Sequence, residues 1–552
     1  MARYEEYGYE IENGVGIIPE WTMEIGEEAF NGCKDLESIC LPKWVKKIGY
    51  KAFANCKNLT NVTLSEWIQE IDNSAFEGCE NLQSLSFPRW VTKIGKSAFE
   101  GCSCFTGITI PPSVSRIGKY AFSGGACLTS ITVENGNKHY DSRENCNAII
   151  HTKSNALVRG CENTVIPDSV TEIGDGAFSG CTNLKSISIP ASVTKIGGLA
   201  FRGCTGLTSV TIPDSVTEIE GGAFYCCYNL TGICIPKSVT GIGGWAFGRC
   251  NSLESISVDK DNKYYDSRED CNAIIHTESN TLIRGCADTI IPESVTEIDR
   301  GAFWGCDSLT NIHIPKSITS VGYSPFIGCP NLRSISVDKD NKYYDSREDC
   351  NAIIHTESNT LIRGCRNTII PDSITKIGRT AMQDCLTITS IDIPESVTEI
   401  GYGAFSGCSD LESLIIPESV TKIEGNVFYG CSSLKNIIIP PSVTEIGNNA
   451  FENCTSLTNI SIPPSVTKIG ESAFSGCTDL TNICIPPSVT EIGPNAFHNC
   501  SSLTSLIIPP SVTKIGNEVF TGCIHLEEIH IPCGFDTGNS TFADCSAQII
   551  NY

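Results

Sequence analysis

Apolar residues return to the same places every 23 residues along almost the whole chain. Phe30, Phe53, Phe76, Phe99 and Phe122 lie 23 apart, as do Phe405, Phe428, Phe451, Phe474, Phe497 and Phe520. Three residues after nearly every one stands a cysteine, among them Cys33, Cys56, Cys79, Cys408, Cys431 and Cys454. A fixed period of this size predicts a solenoid, because one coil cannot bury its apolar face alone and must stack on its neighbours. In the coil that begins at Leu184, the spacing of Leu184, Ile187 and Ile189 predicts a short strand, ended by Pro190. Proline cannot donate to a ladder and so marks a corner. Val193 and Ile196 are expected to point inward from a second short extended segment, closed by a turn at Gly197. Ala200, Phe201 and Cys204 then fill a third side, expected as one short helical turn.

The period breaks in three places. Phe122 to Phe178, Phe247 to Phe303 and Phe326 to Met382 each span one coil plus an insert of 33 residues. Residues 258–286 and 337–365 are identical, and the stretch from Val133 is a diverged relative. Ala273 to Thr277, then Glu278-Ser279-Asn280, then Thr281 to Gly285 read as a β-hairpin. Each insert is therefore expected to be an enlarged coil carrying a protruding hairpin.

The spacing Leu-x-x-Ile-x-Ile resembles the strand signature of leucine-rich repeats. The longer string IP-x-SVT-x-IG-x-x-AF-x-GC-x-x-L-x-x-I resembles the BspA-like, or Treponema-type, leucine-rich repeats, and it covers nearly the whole chain, from Ile18 to Asp544. The resemblance implies a surface adhesin or protein-binding module of host-associated microbes. The fold is read as a right-handed, β-solenoid-like leucine-rich-repeat stack of about 19 coils of 23 residues with three 33-residue insert coils. Residues 1–18 are expected as an N-terminal cap, 19–535 as the solenoid and 536–552 as a C-terminal cap. The insert coils lie near 133–166, 258–291 and 337–370.

Composition narrows the function. The formal net charge is −24 over 552 residues, with no basic run. Nucleic acid and anionic membrane surfaces are poor partners for such a chain, since both need clustered Lys or Arg. No apolar run approaches the length of a membrane span, so membrane insertion is not expected. Met1 to Glu12 is acidic and tyrosine-rich, without the basic start and apolar stretch of a secretory leader. The sequence as it stands points to the cytoplasm, with the cell surface or secretion as the alternative. The 31 cysteines fall mostly on one repeated core position, where a free thiol serves as a small hydrophobe. Reduced thiols are expected. The pairs Cys146–Cys161, Cys271–Cys286 and Cys350–Cys365 are the exceptions that a hairpin register would permit.

Two ladders carry the functional question. At the variable site of SVT-x-IG the charges alternate, as Glu24, Lys47, Glu70, Lys93 and as Lys376, Glu399, Lys422, Glu445, Lys468, Glu491, Lys514. Stacked coils would make these next-neighbours, so alternation replaces repulsion by attraction and fixes register. The second ladder is Trp21, Trp44, Trp67 and Trp90, in a slot that later coils fill with serine, as at Ser113, Ser169, Ser192 and Ser215. Two readings stay open: a device that shields the N-terminal end, or an aromatic strip for a partner, since Trp is enriched in binding hot spots. The partner is expected to be a protein, with a carbohydrate as the alternative.

Catalysis is not expected. Asp266-Ser267-Arg268-Glu269 with His276, repeated as Asp345 to Glu348 with His355, reads better as hairpin and turn chemistry than as a catalytic group in several copies. Cys523, His525, His530 and Cys533 match no common zinc spacing. No cofactor or metal is expected.

Overall fold

Each period closes one coil, and the coils hold together through parallel strand pairs that repeat in register. In the coil that begins at Leu184, Ser186–Ser188 is the first strand and Lys195–Ile196 the second. Ser186–Ser188 runs parallel to Ser209–Thr211 with Ile187 opposite Val210, and Lys195–Ile196 runs parallel to Glu218–Ile219. A slip of one residue would turn Ile196 out and Lys195 in, so the pleat fixes the register. Leu184, Ile189, Val193, Ile196, Ala200, Phe201 and Cys204 are all buried, which puts the core along the middle of the stack. The computed structural model describes residues 3–532, 545 and 547–552. They fall into two units, Met1–Glu278 and Ser279–Tyr552.

The third side is a ladder of turns and not the expected helical turn. The amides of Leu199, Phe201 and Gly203 donate to the carbonyls of Gly221, Ala223 and Tyr225 in the next coil, at 3.0, 2.7 and 2.8 Å. The intervening amides of Ala200, Arg202 and Cys204 close tight turns onto Gly197, Leu199 and Phe201. A helical turn would keep every amide within its own coil. Here half of them bond across coils, at the price of a left-handed backbone at Leu199 (φ 56°) and Gly203 (φ 69°). Stacking of the phenylalanines accompanies this: Phe178, Phe201 and Phe224 follow one another at 5.1 Å, nearly parallel.

In the unit Met1–Glu278, the helix Arg3–Glu6 and the hairpin of Glu10–Glu12 with Val15–Ile17 cover the first coil. Val15–Ile17 runs parallel to Ser38–Cys40. Tyr4 and Tyr9 stack on Phe30 at 5.6 and 5.5 Å, and the Tyr9 hydroxyl donates to the Glu24 carbonyl. Tyrosines therefore close the end of the phenylalanine column.

The first insert is built into the stack and does not protrude. Tyr140–Asp141, Ile149–His151 and Ala156–Arg159 form an antiparallel meander, and Ala156–Arg159 then runs parallel to Glu172–Ile173 of the next coil. Ile149, Ile150 and Leu157 have no solvent exposure. Strands that are apolar on both faces are buried on both, which is why this hairpin lies within the core. The strand Arg116–Ile117, on the other side of the meander, finds no strand partner there. Its Ile117 amide instead donates to the Tyr140 hydroxyl at 2.8 Å. The amide of Ile242 makes the same bond to Tyr265.

In the unit Ser279–Tyr552 the third insert repeats this arrangement. Tyr344–Asp345, Ala352–His355 and Thr360–Gly364 form the meander, and Thr360–Gly364 runs parallel to Lys376–Ile377. Val321 donates its amide to Tyr344. Near the end of the chain Gln548–Asn551 runs parallel to Glu528–Ile531. Most of the cap expected at 536–552 lies outside the described residues.

Among the described residues no cysteine is in a disulfide, and Cys146, Cys161, Cys271, Cys286, Cys350 and Cys365 are all thiols, so the three possible hairpin bridges are absent. The repeated thiols do more than fill space. Cys204 donates to the Phe178 carbonyl of the preceding coil at 3.1 Å, and Cys454 does the same to Phe428. Burial pushes these thiols far above their usual range.

Candidate functional site

The serine slot and the tryptophan slot are one position with two uses. It directly precedes the inward Val of the second strand, at the corner of the coil. In several coils that hold serine there, the hydroxyl bonds inward to the preceding coil. Ser192, Ser215 and Ser238 donate to the carbonyls of Val170, Val193 and Val216, each at 2.6 Å, and Ser442 and Ser465 do so to Val420 and Val443. Each such bond contributes about 1 kcal/mol. Indole cannot reproduce it, and the tryptophans turn outward instead. Trp21 is 80% exposed, Trp44 53%, Trp67 39% and Trp90 51%. Four adjacent coils thus give up an internal bond and hold large aromatic surface in water. Exposed apolar surface gathered in one place marks an interaction site.

The geometry of the column limits what it can hold. Trp67 and Trp90 stack face to face at 6.2 Å with ring planes 8° apart. A ring inserted between them would need about 3.5–4.0 Å on each side. The inner faces of this pair are therefore closed, and the pair presents edges. The Lys43 ammonium lies 5.3 Å from the centre of the Trp44 ring, a cation–π contact that partly covers another face. Met23 is exposed beside Trp21.

The slot just before the tryptophans holds Glu20, Lys43, Glu66 and Arg89, all exposed. Among the described residues Glu20, Glu66 and Arg89 make no ion pair. The column on the second strand behaves differently. Lys47 pairs with Glu24 at 2.6 Å and Lys93 with Glu70 at 3.5 Å. In the other unit Lys422 pairs with Glu445, and Glu491 with both Lys468 and Lys514. The expected neighbour relation of that ladder is thus present, and its charges are already paired within the chain.

The other candidate clusters have structural partners. Arg268 holds Asp266 at 2.7 Å and Arg347 holds Asp345 at 2.6 Å. His276 and His355 lie edge-on to Tyr265 and Tyr344. His525 Nδ1 meets the Ser501 carbonyl, Cys523 donates to the Phe497 carbonyl, and His530 lies near Glu528. Cys533 lies outside the described residues. Among the described residues no group of His, Cys, Asp and Glu is arranged to hold a metal, and no helix is long and apolar enough to cross a membrane.

Sequence reasoning missed one set of side chains. Arg159 and Arg363 are 1% exposed, in insert coils that lack the phenylalanine turn. Arg159 donates to the carbonyls of Gly176, Ala177, Ser179 and Gly125, and Arg363 to those of Thr380, Gln383 and Phe326. The guanidinium bridges the turns on either side of the missing one. The signal was present: in Thr360-Leu361-Ile362-Arg363 the arginine shares its strand face with the inward leucine.

A family model described as the BspA type leucine-rich repeat region, in 6 copies, matches residues 23–149, 154–271, 284–348, 362–458 and 444–552. Among solved structures, a leucine-rich cell surface protein of Faecalibacterium prausnitzii is similar at 30% identity. The match covers 73% of this chain and 85% of that one, with a TM-score of 0.39. A leucine-rich-repeat protein of Bacteroides ovatus is 24% identical over 96% of this chain and 87% of that one, with a TM-score of 0.23. The pneumococcal vaccine antigen PcpA is 19% identical over 74% of this chain and 91% of that one, with a TM-score of 0.35. No curated protein sequence matches the chain.

Proposed function

The chain belongs to the BspA-type leucine-rich-repeat family, and from that premise we propose that it is a non-enzymatic scaffold that binds a protein through Trp21, Trp44, Trp67 and Trp90. One observation carries this reading. The four tryptophans stand where coils such as those of Ser192, Ser215, Ser442 and Ser465 place an inward hydrogen-bonding serine, and they expose indole to water. Hot spots are enriched in tryptophan for its large apolar area. The closed inner faces of Trp67 and Trp90 leave no slot between them for a stacked sugar, which favours a protein. The buried thiols support residence in a reducing compartment, where free cysteines persist.

The test compares the chain with its Trp44→Ser/Trp67→Ser variant, serine being the natural occupant of the slot. Both are used to capture proteins from lysates and are probed on a glycan array. Proteins retained by the parent and lost by the variant support the reading. Identical retention by both together with an oligomeric state that the substitutions leave unchanged, or tryptophan-dependent binding to glycans alone, defeats it. Iodide quenching gives an early check, since a protected, blue-shifted tryptophan signal is incompatible with an open strip.

A further inference from the structure

The charges that flank the tryptophans identify a partner of specific chemistry. Along the stack they read Glu20, Lys43, Glu66, Arg89, alternately negative and positive over an even number of coils. Reversed, this order is its own complement. If a second strip is laid against the first by a two-fold axis between the coils of Lys43 and Glu66, Glu20 meets Arg89 and Lys43 meets Glu66, twice each. An isologous interface needs this self-complementarity, in which residue i meets j and j meets i.

We propose that the tryptophan strip is the dimer interface of this chain, with a second copy as its occupant. The inference rests on the reading of the strip as a protein contact. The same slot alternates again in serine coils, as Asp214, Lys237, Glu293, Lys316 and Asp372, but there Lys237 is paired with Asp214 at 3.2 Å and no tryptophan stands beside the charges. In the same slot Pro441, Pro464, Pro487 and Pro510 follow one another near the other end, and Asp372, Glu395 and Glu418 share one sign. The second-strand column also alternates, but its charges are engaged with neighbours within the chain. Glu20, Glu66 and Arg89 have no such partner among the described residues, so their charges remain available across the axis. The next outward slot holds Met23, Lys46, Gln69 and Thr92, which brings no like charges together in the reversed order.

The area is adequate. The four indoles leave on the order of 500 Å² exposed, given the 150–250 Å² that a large aromatic side chain offers. The flanking side chains bring the strip toward the roughly 800 Å² per partner of a standard interface.

The experiment is sedimentation velocity on the full chain over a range of protein and salt concentrations. The parent should be a dimer that weakens with salt. The Trp44→Ser/Trp67→Ser variant should dissociate, with a loss of about 30-fold or more per tryptophan. Lys43→Glu sets a second carboxylate against Glu66 at both symmetric positions and should weaken the dimer by about tenfold. Lys43→Glu/Glu66→Lys in one chain restores every opposite pair and should restore dimerisation. Mixing the Lys43→Glu chain with the Glu66→Lys chain should yield a heterodimer tighter than the homodimer of either. A cooperative thermal melt shows that each variant is folded. A monomeric parent at all concentrations overturns the inference, as does a dimer indifferent to the tryptophans or one not rescued by the charge swap. A monomeric parent whose tryptophans still capture another protein would sink self-pairing alone. A parent that neither dimerises nor captures would sink the strip as a protein contact as well.

Discussion

The coils of Trp44 and Trp67 and the coils of Ser442 and Ser465 share one interior and have different exteriors. Inside, Phe53 and Phe76 stack at 5.0 Å, and Phe451 and Phe474 at 5.3 Å. Cys79 and Cys477 donate to the preceding phenylalanine carbonyl at 3.1 and 3.2 Å. At the corner the two regions part. Ser442 and Ser465 bond inward, whereas Trp44 and Trp67 face water. A stack whose stability is summed over coils and their interfaces tolerates such a change, because the loss stays local. The contrast separates positions that maintain the stack from positions free to acquire a surface role.

The shared interior can be broken by alkali, with the largest effect. Burial raises the thiols of Cys431, Cys477 and Cys523 from 9.0 to about 12. In the unfolded chain they ionise near their ordinary value. Their contribution is therefore fully present below pH 9.0 and is lost as pH rises toward about 12. Each such thiol removes about 1.4 kcal/mol per pH unit in that window. Many act together, so both regions should unfold steeply above pH 9.0, as followed by circular dichroism at several pH values. Flat stability through this window would refute the thiol column.

The insert coils test whether a coil without the phenylalanine turn is held by its arginine. Arg363→Ala leaves the carbonyls of Thr380, Gln383 and Phe326 without their donor and opens a void. A loss of about 3 kcal/mol is expected in denaturant titration.

At the corner itself, Ser465→Trp should destabilise its coil by about 1 kcal/mol through the lost bond to Val443. Trp67→Ser should stabilise by a similar or smaller amount. A fall in melting temperature for Trp67→Ser would mean that the tryptophans support the coils they stand on.

The smallest effect concerns the paired charges. Glu445→Lys removes the partner of Lys422 at 3.4 Å and sets like charges in a row. A loss of about 0.5–1 kcal/mol at low salt, shrinking at high salt, is expected. A salt-independent loss would indicate packing in place of charge.

The coil was legible because its inward positions are apolar in nearly every copy, whereas its outward positions are mostly polar. Val193, Ile196, Phe201 and Cys204 needed no partner sequence to be placed. The third side was misread because Gly197 to Cys204 fits a helical turn as well as a chain of tight turns. The decision between them lies in Leu199 adopting a positive φ, which a leucine does not advertise. The inserts were misread as protruding because a hairpin is a local pattern, while its burial depends on the coils above and below. Isoleucine on both faces of Ile353-Ile354 was the clue. The tryptophan column was visible at once. Its exposure was not, since the alternative depended on how Ser442 and its equivalents use the same slot.

The tyrosine hydroxyls that receive the amides of Ile117, Ile242 and Val321 have a consequence for how disorder spreads. A run of identical parallel strands transmits fraying from one member to the next, as a zipper opens tooth by tooth. At each of these seams the second-strand ladder stops, and a single phenol takes over from a strand. An opening that starts on one side meets a different kind of link there and must begin anew. Within each unit such a seam is a firebreak, which divides the second-strand ladder into shorter runs.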